Sequence, residues 1–303
     1  MHSKTRCLVM VFALGLIWGG SFPCVELALA GFGPVTIAAA RVTLGAAVLA
    51  AFAIIQRQEF RFLTTVENEI LWPYCLGIGL ISLALPWLLL NWGQVYVTSG
   101  FAGLTMATIP LMILPMAHLL IRNDRLTPMK SIGILVGFAG VFILFGLDTV
   151  TDQASGNFEF LARFACVAAA FGYATGSILI ARRPEVPRLA FGAVNLLIGS
   201  IALIPAALWI EGIPSTWPGL PALFGVAFLG LGSTALGTLI LLQVIRDAGP
   251  SYLSLVNYQV PVWAVFFGTV SLDESLPPQF LIALALILLG LFVSSKGKLP
   301  SES

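Results

Sequence analysis

The sequence predicts an all-α membrane protein of ten transmembrane helices, arranged as two five-helix halves that lie in opposite orientations. Three observations predict it. Of 303 residues, 58% are hydrophobic and only 10% charged, against roughly 25% charged in soluble domains. A globular surface cannot present that excess to water, whereas a bilayer absorbs it. The apolar residues fall into ten runs near the ~20 residues a spanning helix needs. The second half of the chain also echoes the first, with Asp124, Leu126 and Pro128 recurring 150 residues later as Glu274, Leu276 and Pro278.

The runs are read in order. The first covers residues 8–30. Lys4 and Arg6 precede it and Ala28-Leu29-Ala30 ends it, the pattern of a cleavable leader. It is longer than a leader's apolar core and carries Trp18, Pro23 and Glu26, so it is expected to be kept as a helix. The others cover 34–56, 70–92, 97–121, 128–147, 158–181, 188–210, 219–244, 249–271 and 277–295. Pro34, Pro128, Pro187, Pro250 and Pro277 mark starts, where a missing N–H costs a helix nothing.

Basic residues give the direction. Lys4 and Arg6, Arg57 and Arg61, Arg122, Arg125 and Lys130, Arg182, Arg183 and Arg188, Arg246, and Lys296 and Lys298 all lie at alternate connections. The intervening connections carry none. Basic connections stay in the cytoplasm, so both termini are expected there. Arg41 and Arg163 alone fall inside spans.

The echo covers more than the turn. Ile132, Gly140 and Phe142 pair with Ile282, Gly290 and Phe292 at the same offset, and Ile109-Pro110 with Val260-Pro261 after a one-residue slip. Helices 4–5 therefore match helices 9–10. The expected units are 1–150 and 151–303, and five helices per unit force the second to run inverted. Inverted halves can exchange conformations and so switch which side of the membrane is open, which points to transport.

Leu16-Ile17-Trp18-Gly19-Gly20-Ser21-Phe22-Pro23, Pro34 followed by Ala38-Ala39-Ala40-Arg41, and the two units of proline, acidic turn, Leu-x-Pro and glycine resemble the paired EamA-type repeats of the drug/metabolite transporter superfamily. The resemblance covers nearly the whole chain. It departs at Asn123-Asp124, where the family often has Gly-Glu, and at Phe171-Gly172, where a Trp is common. It implies export or exchange of small metabolites across the bacterial inner membrane. Aromatic amino-acid exporters of the YddG type serve as a functional model by fold analogy only.

A charge at the bilayer centre is costly, ~2.5–3.5 kcal/mol on insertion scales. Arg41 is thus a candidate substrate contact, and Glu26, near the same end of the neighbouring helix, a candidate partner in a gate or structural ion pair. Other pore candidates are Trp18, Tyr173 (with Thr175 and Ser177), Asn195 where the second repeat answers Arg41, and Asn257, Tyr258, Gln259 and Trp263 around Pro261. Amides facing lipid would go unsatisfied, so these are expected to face inward. Pro23, Pro110 and Pro261 are candidate hinges. Arg163 is expected to pair with Glu159 one helical turn before it, and His118 to be structural. Asn91, Trp92, Gln94 and Tyr96 read as an interfacial belt. Gly15-x3-Gly19 and Gly133-x3-Gly137 suit close helix packing.

Several classes are disfavoured. Net charge is +1, which gives no case for nucleic-acid binding. Cys7, Cys24, Cys75 and Cys166 are isolated in apolar surroundings and fit no metal spacing. No dinucleotide, Walker or zinc-protease motif is present, so no cofactor, metal or enzymatic role is expected. The expected partners are a small-molecule substrate, an amino acid first, and the lipid bilayer. A monomer suffices for that. The rivals are an organic-cation exporter and a non-transporting scaffold or lipid-handling protein.

Overall fold

Ten apolar helices run through the residues that the computed structural model describes, namely 2–58, 60, 71–121, 126–145, 157–248, 255–275 and 277–296. They are α1 (Thr5–Leu29), α2 (Pro34–Ile55), α3 (Leu71–Gly93), α4 (Ser99–Leu120), α5 (Pro128–Phe145), α6 (Phe158–Arg182), α7 (Arg188–Ile210), α8 (Leu220–Ala248) and α10 (Pro278–Ser295), with α9 (Val256–Leu272) between the last two. Nine are long and apolar enough to cross a membrane. The 17 residues of α9 still reach across, since spanning helices begin at roughly 17 residues.

The local sequence explains the ends. Pro34 and Pro278 open α2 and α10 within the first turn. Thr98 caps α4 by accepting from the Phe101 N–H at 3.2 Å. At the end of α9, Asp273 turns left-handed at φ 52, and the Glu274 N–H closes onto the Gly268 carbonyl. The expected span limits agree to within a few residues, except that α8 runs on to Ala248. The expected start of α9 at Pro250 and the Asn123-Asp124-Arg125 turn lie outside the described residues.

Three spans are not uniform α-helix. Helix α1 breaks at Gly20, three residues before Pro23, whose missing N–H leaves the Gly19 carbonyl without its helical partner. Helix α4 tightens into a 3-10 turn at Met106–Thr108 just ahead of Pro110. Helices α3 and α8 widen into π-helical turns at Gly77–Ala84 and Phe228–Leu236. Such turns in mid-helix often mark functional positions. These two occupy equivalent places in the two halves.

The packing shows the inverted symmetry directly. Helix α1 packs on α8 and α9, while α6 packs on α3 and α4; α2 pairs with α7, and α5 with α10. In the last pair, a Cβ at Gly133 would sit 2.4 Å from the Gly290 carbonyl, and one at Gly140 would sit 2.8 Å from the Ala283 carbonyl. Gly133 and Ala283 are repeat equivalents, as are Gly140 and Gly290. The two contacts are therefore one contact seen twice, with the halves exchanged. Outward, large apolar side chains such as Leu135, Phe142, Leu208, Trp209 and Phe292 are exposed, a surface suited to lipid and not to water. The sequence-predicted fold class is the observed one.

Gly133→Leu should force α5 and α10 apart and cost about 1–3 kcal/mol of stability by overpacking, lowering the melting temperature of the purified protein. Ala139→Leu, on the exposed face of the same helix, should leave it unchanged.

Candidate functional site

Arg41 lies two turns into α2 and is only 8% exposed. A guanidinium so placed must find its hydrogen bonds within the protein, and it finds them in the other half of the chain. Its Nε donates to Thr234 Oγ1 and its Nη2 to Ser233 Oγ, both at 2.9 Å. Both hydroxyls belong to the π-helical turn of α8. Thr234 Oγ1 in turn donates to the Leu229 carbonyl at 2.8 Å. The same hydroxyl thus satisfies a backbone acceptor of the widened turn and accepts from the cation.

Aromatic groups complete the surroundings. The guanidinium carbon stands 4.5 Å from the centroid of a Trp87 ring on α3, within cation–π range. Tyr173 on α6 lies beside both Trp87 and Arg41. Trp18 on α1 donates its indole N–H to the Ser233 carbonyl at 3.1 Å. Gly237 permits that approach, because a Cβ there would stand 2.6 Å from the indole nitrogen. Five helices, α1, α2, α3, α6 and α8, therefore converge on one cation. Its hydrogen-bond partners are neutral hydroxyls. No carboxylate pairs with Arg41 among the described residues, and no group of three or more His, Cys, Asp and Glu there could hold a metal.

The structure thus joins three sequence candidates, Arg41, Trp18 and Tyr173, and separates the rest. Glu26 is exposed and has no ion pair with Arg41 among the described residues, so the expected ion pair is not formed. Its carboxylate stands near enough to Glu274 for the two charges to interact. Asn195 is buried on α7, with its carbonyl against Gly79 of α3 and its Oδ1 unpartnered. Gln259 packs on Gly15 of α1, its Oε1 also unpartnered, while Tyr258 packs beside Leu111 and Ile287 and Asn257 is half-buried. Trp263 stands in an aromatic group with Phe12, Phe266 and Phe267. Pro261 lies within α9 without breaking it.

Asn91 and Gln94 are not interfacial. They are 1% and 3% exposed, and the Asn91 amide donates to the Pro34 carbonyl at 3.2 Å. Only Trp92 and Tyr96, with Phe158, form the expected aromatic belt. Arg163 does pair with Glu159 at 2.5 Å. His118 Nδ1 accepts from the Leu126 N–H at 3.4 Å, across the turn between α4 and α5. The residues missed from sequence are Trp87, Ser233 and Thr234. The available signal was the pair Ser233-Thr234 after Gly230 and Gly232 in the middle of an apolar run.

The two ends of the molecule differ. At the end carrying residues 31–33, 94–98, 211–219 and 273–277, two carboxylates sit on helix N-termini. Glu211 accepts from the Val35 and Thr36 N–H groups at 2.8 Å each; Glu274 accepts from Ser99 at 2.7 Å and Gly100 at 2.9 Å. Carboxylates are favoured there by the unpaired N–H groups and the helix dipole. At the opposite end a crevice of about 340 Å³ opens between α3, α4 and α6, lined by Pro73, Tyr74, Met116, Leu120, Thr175 and Arg182 among others. That is within the size of small-molecule pockets.

Known proteins with this organisation were found by sequence and by shape. The model of the EamA-like transporter family matches residues 5–146 and again 160–296. The uncharacterized transporter YoaV of Bacillus subtilis is 22% identical over 96% of this chain and 97% of its own length. The uncharacterized inner membrane transporter YedA of Escherichia coli is 25% identical over 95% and 90%. The S-adenosylmethionine/S-adenosylhomocysteine transporter of Chlamydia muridarum is 24% identical over 96% and 92%. A solved protein crystal structure superposes with a TM-score of 0.68 at 22% identity, covering 99% of both chains, which shows the shared fold. Two matches of one family model along the chain, agreeing with two inverted halves in the structure, place this multi-pass membrane protein in the EamA-like transporter family of the drug/metabolite transporter superfamily.

Proposed function

We propose that the chain exports small metabolites that carry a carboxylate, amino acids first, by alternating access between its two halves. The observation that carries this reading is Arg41: a buried cation held only by hydroxyls and an aromatic ring, at the seam between the halves. Hydroxyl partners compensate a guanidinium weakly compared with a carboxylate, which accepts two N–H bonds in parallel. A substrate carboxylate exchanging with Ser233 and Thr234 would bind one half while releasing its grip on the other. Trp18, Trp87 and Tyr173 give the same place apolar, aromatic walls, suited to an amphipathic side chain. A relative whose name assigns it S-adenosylmethionine and S-adenosylhomocysteine, both amino acids at one end, supports this class.

A central arginine disfavours organic cations that carry no carboxylate, since a second cation beside it without an intervening anion is repelled in a medium of low dielectric. With both termini in the cytoplasm, as the basic connections indicate, the Glu211 and Glu274 end faces outward and the crevice faces the cytoplasm. Units 1–150 and 151–303 are the two repeats that exchange conformations, with α1 and α6 each packed against helices of the other unit. The middles of the spans hold no Asp or Glu, which favours facilitated diffusion or exchange over proton coupling.

Counterflow in liposomes holding the purified protein tests this. Labelled amino acids should accumulate against unlabelled ones, equally with and without a pH gradient. Flux of organic cations alone would overturn the substrate class, flux that requires a pH gradient the facilitator mechanism, and no substrate-dependent flux the transport reading itself, leaving a scaffold or lipid-handling role. Arg41→Gln should lower amino-acid flux about tenfold or more, the loss expected of a charge-assisted bond of ~1.5–3 kcal/mol.

Trp87→Ala should raise KM several-fold, because a cation–π contact and ring burial together contribute on the order of 1–2 kcal/mol. The measurement is the concentration dependence of the same counterflow.

A further inference from the structure

Helices α2 and α7 are antiparallel neighbours, one from each half, and each caps the other. The residue that ends α7, Glu211, sits on the N-terminus of α2, with one carboxylate oxygen on the Val35 N–H and the other on Thr36. Three residues past the end of α2, Gln58 does the same to α7: its Oε1 accepts from the Leu189 and Ala190 N–H groups, both at 3.1 Å. Adding 153 to Gln58 gives Glu211, and subtracting 154 from Leu189 and Ala190 gives Val35 and Thr36. The two caps are equivalents under the inverted repeat, one at each face of the molecule. Between them, the Thr43 and Ser200 hydroxyls lie 3.3 Å apart in hydrogen-bond contact.

The caps also shape the chain around them. A Cβ at Gly33 would fall 2.1 Å from the Glu211 carboxylate carbon, so glycine there is a condition of the outer cap. The first N–H groups of a helix have no partner within the helix. Each cap supplies those groups with an acceptor from the other half of the chain, so each cap resists separation of the pair. Contacts that must break during a cycle are expected at one face at a time. This pair is bonded at both faces at once.

We propose that α2 and α7 form the fixed axis of the transporter, a strut that keeps its length and pairing while the other helices rock about it. Arg41 rides on this axis, so the cation stays in place while Ser233 and Thr234 on α8 approach and leave. If α2 and α7 do not part at the outer face, the cross-half contact that must break there is the other one, Glu274 on the N-terminus of α4.

The inference rests on the transport reading for one of its two tests. In the full chain, whose four described cysteines are buried, Thr36→Cys with Glu211→Cys and Leu189→Cys with Gln58→Cys are joined by a short reducible thiol cross-linker. Counterflow should stay within about threefold of the reduced protein. Joining Ser99→Cys to Glu274→Cys should stop it, reversibly on reduction. A reversible loss of more than about threefold in the α2–α7 linked protein overturns the proposal. The second test needs no transport: spin labels on Ile55→Cys and Ile210→Cys, exposed positions at opposite ends of the two helices, should give a single distance population. A second population overturns the proposal whether or not the protein moves an amino acid, whereas absence of flux in the unlinked protein overturns only the transport reading.

Discussion

Within a bilayer there is no water to satisfy a polar group, so the backbone and the buried charges of the spans must find their partners inside the protein. Arg41 is the sharpest case. Its guanidinium cannot be hydrated where it lies, and the structure supplies two hydroxyls and an indole face instead. The hydroxyls come from α8, on the far side of the seam between repeats. One cation therefore ties the two halves together at their centre, and the π-helical turn of α8 is what aims Ser233 and Thr234 at it. The neutral character of these partners matters as much as their number, because it leaves the cation open to a better acceptor.

The same constraint acts at the helix ends, where four N–H groups lack helical partners. The chain answers with side chains from distant segments: Glu211 on α2, Glu274 on α4 and Gln58 on α7. Two of these are charged and lie at one face; the third is neutral and lies at the other. A carboxylate on a helix N-terminus gains from the dipole as well as from the hydrogen bonds, and an amide oxygen gains mainly from the bonds. Between α2 and α7 the inverted repeat is thus symmetric in geometry and unequal in strength.

Elements whose partners are near in sequence were legible from the chain alone. Arg163 with Glu159, four residues apart, is one; the glycines of α5 and α10, recognised by their 150-residue echo, are another. Asn91 and Gln94 were misread because a polar cluster at a span end looks the same whether it faces headgroups or a neighbouring helix. The Asn91 partner, the Pro34 carbonyl, lies on another span. Glu26 and Arg41 are close along the chain, yet Glu26 is exposed and Arg41 buried. Which face of a helix is covered depends on its neighbours and is invisible to spacing.

What the sequence determined by itself is the number of spans, their apolar lengths, the repeat and the family. These are properties of a line, set by hydrophobic run length and self-similarity. What only the tertiary structure decided is who meets Arg41. Thr234 lies 193 residues away and Trp18 reaches Ser233 across 215, and nothing local marks those pairs. Helix packing brings them together, and the exclusion of water makes each of them necessary.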